Sequence, residues 1–335
     1  MSTARQLGRD RPLVLVVMDG VGVGRGDEFD AVAQANTPTL DRLAAETCRT
    51  LRAHGTAVGL PSDADMGNSE VGHNILGAGR IFDQGAKRVD NAIESGSIWK
   101  SDAWQQIVDR CAGGGGTLHL IGLLSDGNVH SNISHLFEIL RRADDDGIST
   151  IRIHALFDGR DVPDPSAERY IALAEAEFAD HPTLDIRFAS GGGRMVTTMD
   201  RYGADWRVVE AGWRAHVLGT AHPVPDLLSG GEWGRSAGGR SGQLPPAFTV
   251  VDEAQQPVGS IVDGDAVVMF NFRGDRAIEL SQAFEAGPEF DEFDRQRVPD
   301  VFFAGMALYD GDTNTPRSYL VGPESVDMTV SEIIA

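Results

Sequence analysis

The chain has 335 residues, 41% of them hydrophobic, enough to bury a sizeable core and to form about two domains. A net charge of −21 counts against nucleic-acid binding, which needs a basic face, and no run reaches the roughly 18 apolar residues of a membrane span. The two cysteines, Cys48 and Cys111, are far apart and outside any CxxC spacing, so free thiols are expected rather than a disulfide framework or a zinc ribbon.

The first twelve residues carry three arginines and no apolar stretch, which argues against a cleaved signal peptide and for a soluble, cytoplasmic protein. From Leu13 to Met18 a continuous apolar run reads as a buried parallel strand ending at Asp19-Gly20, the end at which open α/β sheets gather ligands. Thr37-Pro38 opens an amphipathic helix through Leu40, Leu43 and Ala44. Further strands are expected at Thr117–Leu123, Thr150–Leu156, Leu184–Ala189, Ala266–Phe272 and Val301–Leu308, with helices at Ile133–Arg142, Ser166–Phe178 and Asp205–Ala215 between them. This alternation predicts an α/β fold with parallel sheets. Asp226–Pro246, rich in Gly, Ser and Pro, reads as a long excursion or hairpin.

Several motifs fail on spacing. A GxGxxG starting at Gly20 needs glycine where Arg25 stands, and one starting at Gly22 needs it at Asp27. Gly113–Gly116 lacks the Gly-Lys-Ser/Thr of a nucleotide loop. The segment Gly67-Asn-Ser69-Glu-Val-Gly-His73 is more informative. It holds a small hydroxyl at a helix start, where free N–H groups and the positive dipole end favour a phosphoryl group, although a serine there more commonly only caps the helix. A GxSxG elbow is ruled out because Val71 occupies its last glycine position, and no histidine is marked by spacing as the base. Metal activation is the better route to a serine nucleophile, and Asp19 is a suitable hard-metal ligand, with a cap or turn role as the plain alternative. Lysine occurs only at Lys87 and Lys100, so nearly all positive charge is arginine, the residue suited to bidentate capture of phosphate and carboxylate, though base composition produces the same bias.

Met18-Asp19-Gly20 followed by Met66-Gly-Asn-Ser-Glu-Val-Gly-His73 resembles the metal-aspartate strand and nucleophile loop of cofactor-independent phosphoglycerate mutases. Four further segments agree in order: Leu124-Ser-Asp-Gly-Asn-Val-His130-Ser, Phe157-Asp-Gly-Arg160-Asp161-Val-Pro, Ser190-Gly-Gly-Gly-Arg194 through Met199-Asp-Arg201-Tyr, and Phe270-Asn-Phe-Arg273-Gly-Asp-Arg276. The glycine-rich form at Ser190–Arg194 resembles the plant and trypanosomatid branch.

The resemblance implies an alkaline-phosphatase-type metal-binding domain, incomplete here, with an inserted α/β transferase domain. Residues 1–84 would form its first part, 85–297 the substrate-binding insert and 298–335 the start of its second part. Ser69 would accept the phosphoryl group and, with Asp19, ligate one of two divalent ions, manganese or magnesium. His130, Arg160, Asp161, Arg194, Arg201, Arg273 and Arg276 would hold a phosphoglycerate, with no 2,3-bisphosphoglycerate required. The expected reaction interconverts 3-phosphoglycerate and 2-phosphoglycerate through a phosphoserine. The family's later metal ligands and its late substrate lysine have no counterpart, the last histidine being His222, so the chain is expected to be an N-terminal part that needs the missing segment for full activity. A monomer is implied when complete, or else a companion C-terminal chain. A non-catalytic phosphoglycerate-binding protein and a metal-dependent phosphatase are the alternatives. Asn132 departs from a position often basic in the family.

Overall fold

The computed structural model describes residues 14–18, 21–238, 241–323 and 326–334. The chain divides into two units, Met1–Leu51 and Arg52–Ala335.

In the first unit, α1 (Ala31–Gln34) is capped by Asp30, whose carboxylate accepts from the Ala33 amide at 3.0 Å. The proline-initiated helix is present as α2 (Pro38–Thr47). The strand expected at Leu13–Met18 is not: Val14–Met18 has no sheet partner among the described residues, and Val14 is 73% exposed. A run that is apolar on both faces becomes a buried strand only when neighbours cover both faces. Asp19, the expected metal ligand, lies outside the described residues.

The second unit is built on one eight-stranded sheet. Its strands are β1 (Leu118–Leu123), β2 (Thr150–Phe157), β3 (Asp185–Gly193), β4 (His222–Val224), β5 (Phe248–Val250), β6 (Ala266–Met269), β7 (Phe302–Ala307) and β8 (Tyr319–Val321), in the spatial order β4-β5-β3-β2-β1-β6-β7-β8. Every pairing is parallel except β3 with β5. The strand order reverses between β1 and β6, a topological switch point at whose carboxyl edge α/β sheets open a crevice. The segment after residue 297 adds β7 and β8 to this same sheet.

Helices cover both faces, as parallel strands require. They are α4 (Ala86–Glu94), α5 (Asp102–Val108), α6 (Ile133–Asp145), α7 (Ala167–Ala179), α8 (Trp206–Trp213), α9 (Leu227–Ser236) and α10 (Ile278–Glu285), whereas α3 (Ser69–Ala78) packs with Val58 and Leu60 and against α11 (Val330–Ile334). Alternation along β1 sorts the core. Leu118 and Leu120 pack with Trp104 of α5 and with Leu136 and Leu140 of α6, whereas Ile121 packs with Val209 and Trp213 of α8 and Leu280 of α10.

The stretch 226–246, expected as an excursion, contains α9. Its glycines serve close packing: a Cβ on Gly230 would lie 2.3 Å from the Phe248 ring. Cys48 and Cys111 are free, and burial pushes the Cys111 thiol up to about 12.

Candidate anion-binding site

The loops leaving β1, β2, β3 and β6 at their carboxyl ends bring together residues distant in sequence. After β1, the His130 carbonyl accepts from the Phe272 amide beyond β6 at 2.8 Å, which ties the two sides of the switch point. His130 is 3% exposed; its Nδ1 lies 3.7 Å from Asp275 Oδ1, too far for a hydrogen bond, and has no other partner among the described residues. Burial, reinforced by the charges of Arg194, Arg273, Arg276 and Arg201, holds its pKa well below the ordinary value. The imidazole is therefore neutral near pH 7, and its buried Nδ1 has no hydrogen-bond partner among the described residues.

After β2, Asp158 organises the Asp-Gly-Arg-Asp turn. Its Oδ1 accepts from the amides of Arg160 and Asp161, both at 3.0 Å, while the Ser125 hydroxyl donates to Oδ2 at 2.6 Å. Arg194, just after β3 and 1% exposed, donates through Nη1 to Asp158 at 2.9 Å and to Asp161 at 2.5 Å, leaving its Nε without a partner among the described residues. Burial raises the Asp161 pKa against the opposing Arg194 charge.

After β6, Arg273 pairs with Asp275 at 2.9 Å, and Arg201 lies 3.5 Å from the same carboxylate. Arg276 donates to the Met199 carbonyl at 2.5 Å, and burial together with the charges of Arg201 and Arg194 lowers its pKa. Arg160 is exposed at the rim, close enough to add to the same field. Five guanidinium groups thus converge beside four carboxylates, Asp158, Asp161, Asp275 and Glu70, leaving a small local positive excess in a protein of net charge −21. Buried charge with unpartnered donors is costly in isolation and suits an anion with several acceptor oxygens.

Ser69 stands exposed in the first turn of α3, behind the Asn68 cap, whose side-chain oxygen accepts from the Val71 amide at 3.1 Å. The neighbouring Glu70 carboxylate lies 3.5 Å from Arg273 Nε, and one cleft is lined by Asn68, Glu70, Asn128 and Arg273. The loop 67–73 therefore borders the arginine cluster. Asn132 caps α6 and donates to Asn128, which in turn holds Asp65. Asp158 and Asp275 were not singled out from the sequence, although both sit inside the same motifs, Asp158 two residues before Arg160 and Asp275 between Arg273 and Arg276.

Among the described residues no group of three or more His, Cys, Asp or Glu side chains is placed to hold a metal ion. With Asp19 also outside them, the described donors alone do not fit a two-metal centre.

Fold and site define an α/β protein with an arginine-rich anion site at a topological switch point. Residues 89–311 match the family described as BPG-independent PGAM N-terminus, and the chain belongs to that family, with an α/β fold of the alkaline-phosphatase superfamily. It is 50% identical over 329 residues to the 2,3-bisphosphoglycerate-independent phosphoglycerate mutase of Trypanosoma brucei brucei, covering 97% of this chain and 60% of that protein. It is 46% identical over 335 residues to the enzyme of Zea mays, covering 98% of this chain and 59% of the relative. A crystal structure of Leishmania mexicana phosphoglycerate mutase at low cobalt concentration superposes with a TM-score of 0.89 at 50% identity, over 95% of this chain and 59% of that one. The chain thus spans about three-fifths of the length of the relatives it matches.

Proposed function

We propose that this chain binds a phosphoglycerate in the arginine cluster and takes part in interconverting 3-phosphoglycerate and 2-phosphoglycerate, with Ser69 as the phosphoryl acceptor. The observation that carries the reading is the convergence of Arg194, Arg201, Arg273 and Arg276 on the neutral His130, with Arg160 adding to the field at Arg276. The substrate is charged at both ends, and several forked guanidiniums fix phosphate and carboxylate in orientation as well as in place.

In this reading the Ser69 Oγ–P bond forms as the glycerate O–P bond breaks, the proton that the Ser69 hydroxyl releases being matched by the one that the leaving glycerate oxygen takes up, and the reverse step passes the group to the other glycerate hydroxyl and a proton back to Ser69. Asp161, whose carboxyl is held toward its protonated form, exchanges a proton with that hydroxyl, and His130 Nδ1 bonds the phosphate. Residues 85–297 are proposed as the body of an inserted transferase domain between two parts of a metal-binding domain, the first being 1–84; because β7 and β8 continue the insert's sheet, the second part would begin after Val321 rather than at residue 298. Two divalent ions, manganese or magnesium, are proposed for the complete site; the described residues do not fit them by themselves, and no step here is routed through them. The ligand is proposed to be a soluble small molecule and the protein a cytoplasmic monomer when complete. No helix among the described residues is long and apolar enough to cross a membrane.

That same lack of a metal-ligand cluster favours a second reading, phosphoglycerate binding without turnover. Phosphorus NMR of the chain with manganese and 3-phosphoglycerate, beside a Ser69→Ala control, separates the two. Turnover lost in the control supports the first, binding without turnover supports the second, and no binding refutes both.

A further inference from the structure

Three buried histidines outside the anion site form an unbroken hydrogen-bonded chain across the sheet. It begins at Asp265, before β6, whose Oδ2 lies 3.0 Å from His119 Nε2. His119 Nδ1 is 2.9 Å from His154 Nε2, and His154 Nδ1 is 2.6 Å from Ser190 Oγ. Ser190 Oγ is 2.7 Å from His216 Nδ1, and His216 Nε2 is 2.8 Å from Thr198 Oγ1. The three imidazoles, Ser190 and Thr198 are each no more than 1% exposed.

One proton arrangement satisfies every link. Asp265, already accepting the amides of Thr117 and Val262 at 2.8 Å each, is an acceptor toward His119 Nε2–H. His119 Nδ1 then accepts from His154 Nε2–H, His154 Nδ1 accepts from the Ser190 hydroxyl, Ser190 accepts from His216 Nδ1–H, and His216 Nε2 accepts from the Thr198 hydroxyl. Burial lowers the pKa of all three histidines, in keeping with neutral rings.

The chain ends where the loop joining β3 to α8 needs support. Thr198 has a φ of 68°, unfavourable for a β-branched residue, and its hydroxyl sits where a Cβ on Gly212 would come within 2.1 Å. The next residue, Met199, supplies the carbonyl that Arg276 grips, and Arg201 follows two residues on. His216 itself lies in a π-helical turn, Arg214–Leu218, which extends α8.

We infer that the Asp265–His119–His154–Ser190–His216–Thr198 chain is a positioning relay that pins the loop 194–204 from beneath and so sets the placement of Arg201 and Arg276. Thr198 and His216 are its positioning residues; neither touches the ligand. The affinity consequence rests on the proposed phosphoglycerate site, but the loop consequence does not.

The test is the Thr198→Val variant, isosteric and equally strained, with Thr198→Ser as the rescue. Amide hydrogen exchange, read without ligand, is expected to speed up within 194–204 in Thr198→Val, to stay unchanged in β1 and β2, and to recover in Thr198→Ser. 3-Phosphoglycerate affinity, measured by calorimetry, should fall about tenfold in Thr198→Val and recover in Thr198→Ser. Unchanged exchange at 194–204, or a uniform rise through the whole chain, overturns the relay. If Arg273→Gln weakens binding while Thr198→Val does not, the proposed function stands and the relay falls; if the unaltered chain binds no phosphoglycerate, the proposed function falls and the exchange comparison decides the relay.

Discussion

Acidification should destabilise the second unit through its buried histidines, and His216 gives the size of the effect. Its imidazole is fully buried, and burial lowers its pKa from 6.5 to about 3. The unfolded chain therefore binds a proton near pH 6.5 that the folded chain refuses until about pH 3. Between those values the unfolded state holds more protons, so stability rises with pH, is complete above the unfolded pKa, and is lost as pH falls. At pH 5, roughly 1.5 units below the unfolded pKa, His216 alone costs about 2 kcal/mol. His119 and His154, shifted the same way, steepen the fall. Urea unfolding at pH 7.5 and pH 5.0, on the unaltered chain and on His216→Asn, isolates the contribution: the drop should be smaller in the variant by about 2 kcal/mol. Equal drops, or an imidazolium signal from His216 by nitrogen NMR at pH 5, would refute the reasoning.

Other perturbations follow from particular contacts. Burial raises the Glu279 carboxyl to about 7, with the nearby Asp200 charge adding to the shift, so its protonated form belongs to the folded state and the stability it contributes is present below the unfolded pKa and lost as pH rises through 7; Glu279→Gln should flatten the fall in melting temperature between pH 6 and 8. Gly192→Ala would place a Cβ 2.3 Å from Thr197 Oγ1, so denaturant melts should show a loss of about 1–3 kcal/mol. Trp104→Ala removes a fully buried ring and its 2.7 Å bond to Asp146, and the same melts should register about 3–5 kcal/mol.

What the sequence discloses follows from how local the determining contacts are. The five central strands expected between Thr117 and Leu308 are apolar over most of their length, and each overlaps a strand of the sheet. The three-residue strands β4, β5 and β8 are too short to carry a pattern and exist because a neighbour supplies their hydrogen bonds. At Leu13–Met18 the pattern is strong, yet the described residues offer no partner strand. The glycines of α9 read as loop because composition cannot distinguish freedom to turn from room for a close neighbour such as Phe248. At the site, the arginines were legible as motif positions, and the structure brings Arg194, Arg201, Arg273 and Arg276 around His130. Asp275 and Asp158 gain their roles from those arginines, and the histidine relay joins residues up to 146 positions apart, a spacing that no local pattern reveals.

Calorimetric titration of 3-phosphoglycerate into the chain, beside Arg273→Gln and Arg276→Gln, tests the arginine cluster most directly. The account predicts saturable one-to-one binding that weakens at least about tenfold in each variant, the loss of a charge-assisted contact, and that weakens further with salt. Absence of binding, or binding indifferent to both substitutions, would contradict it.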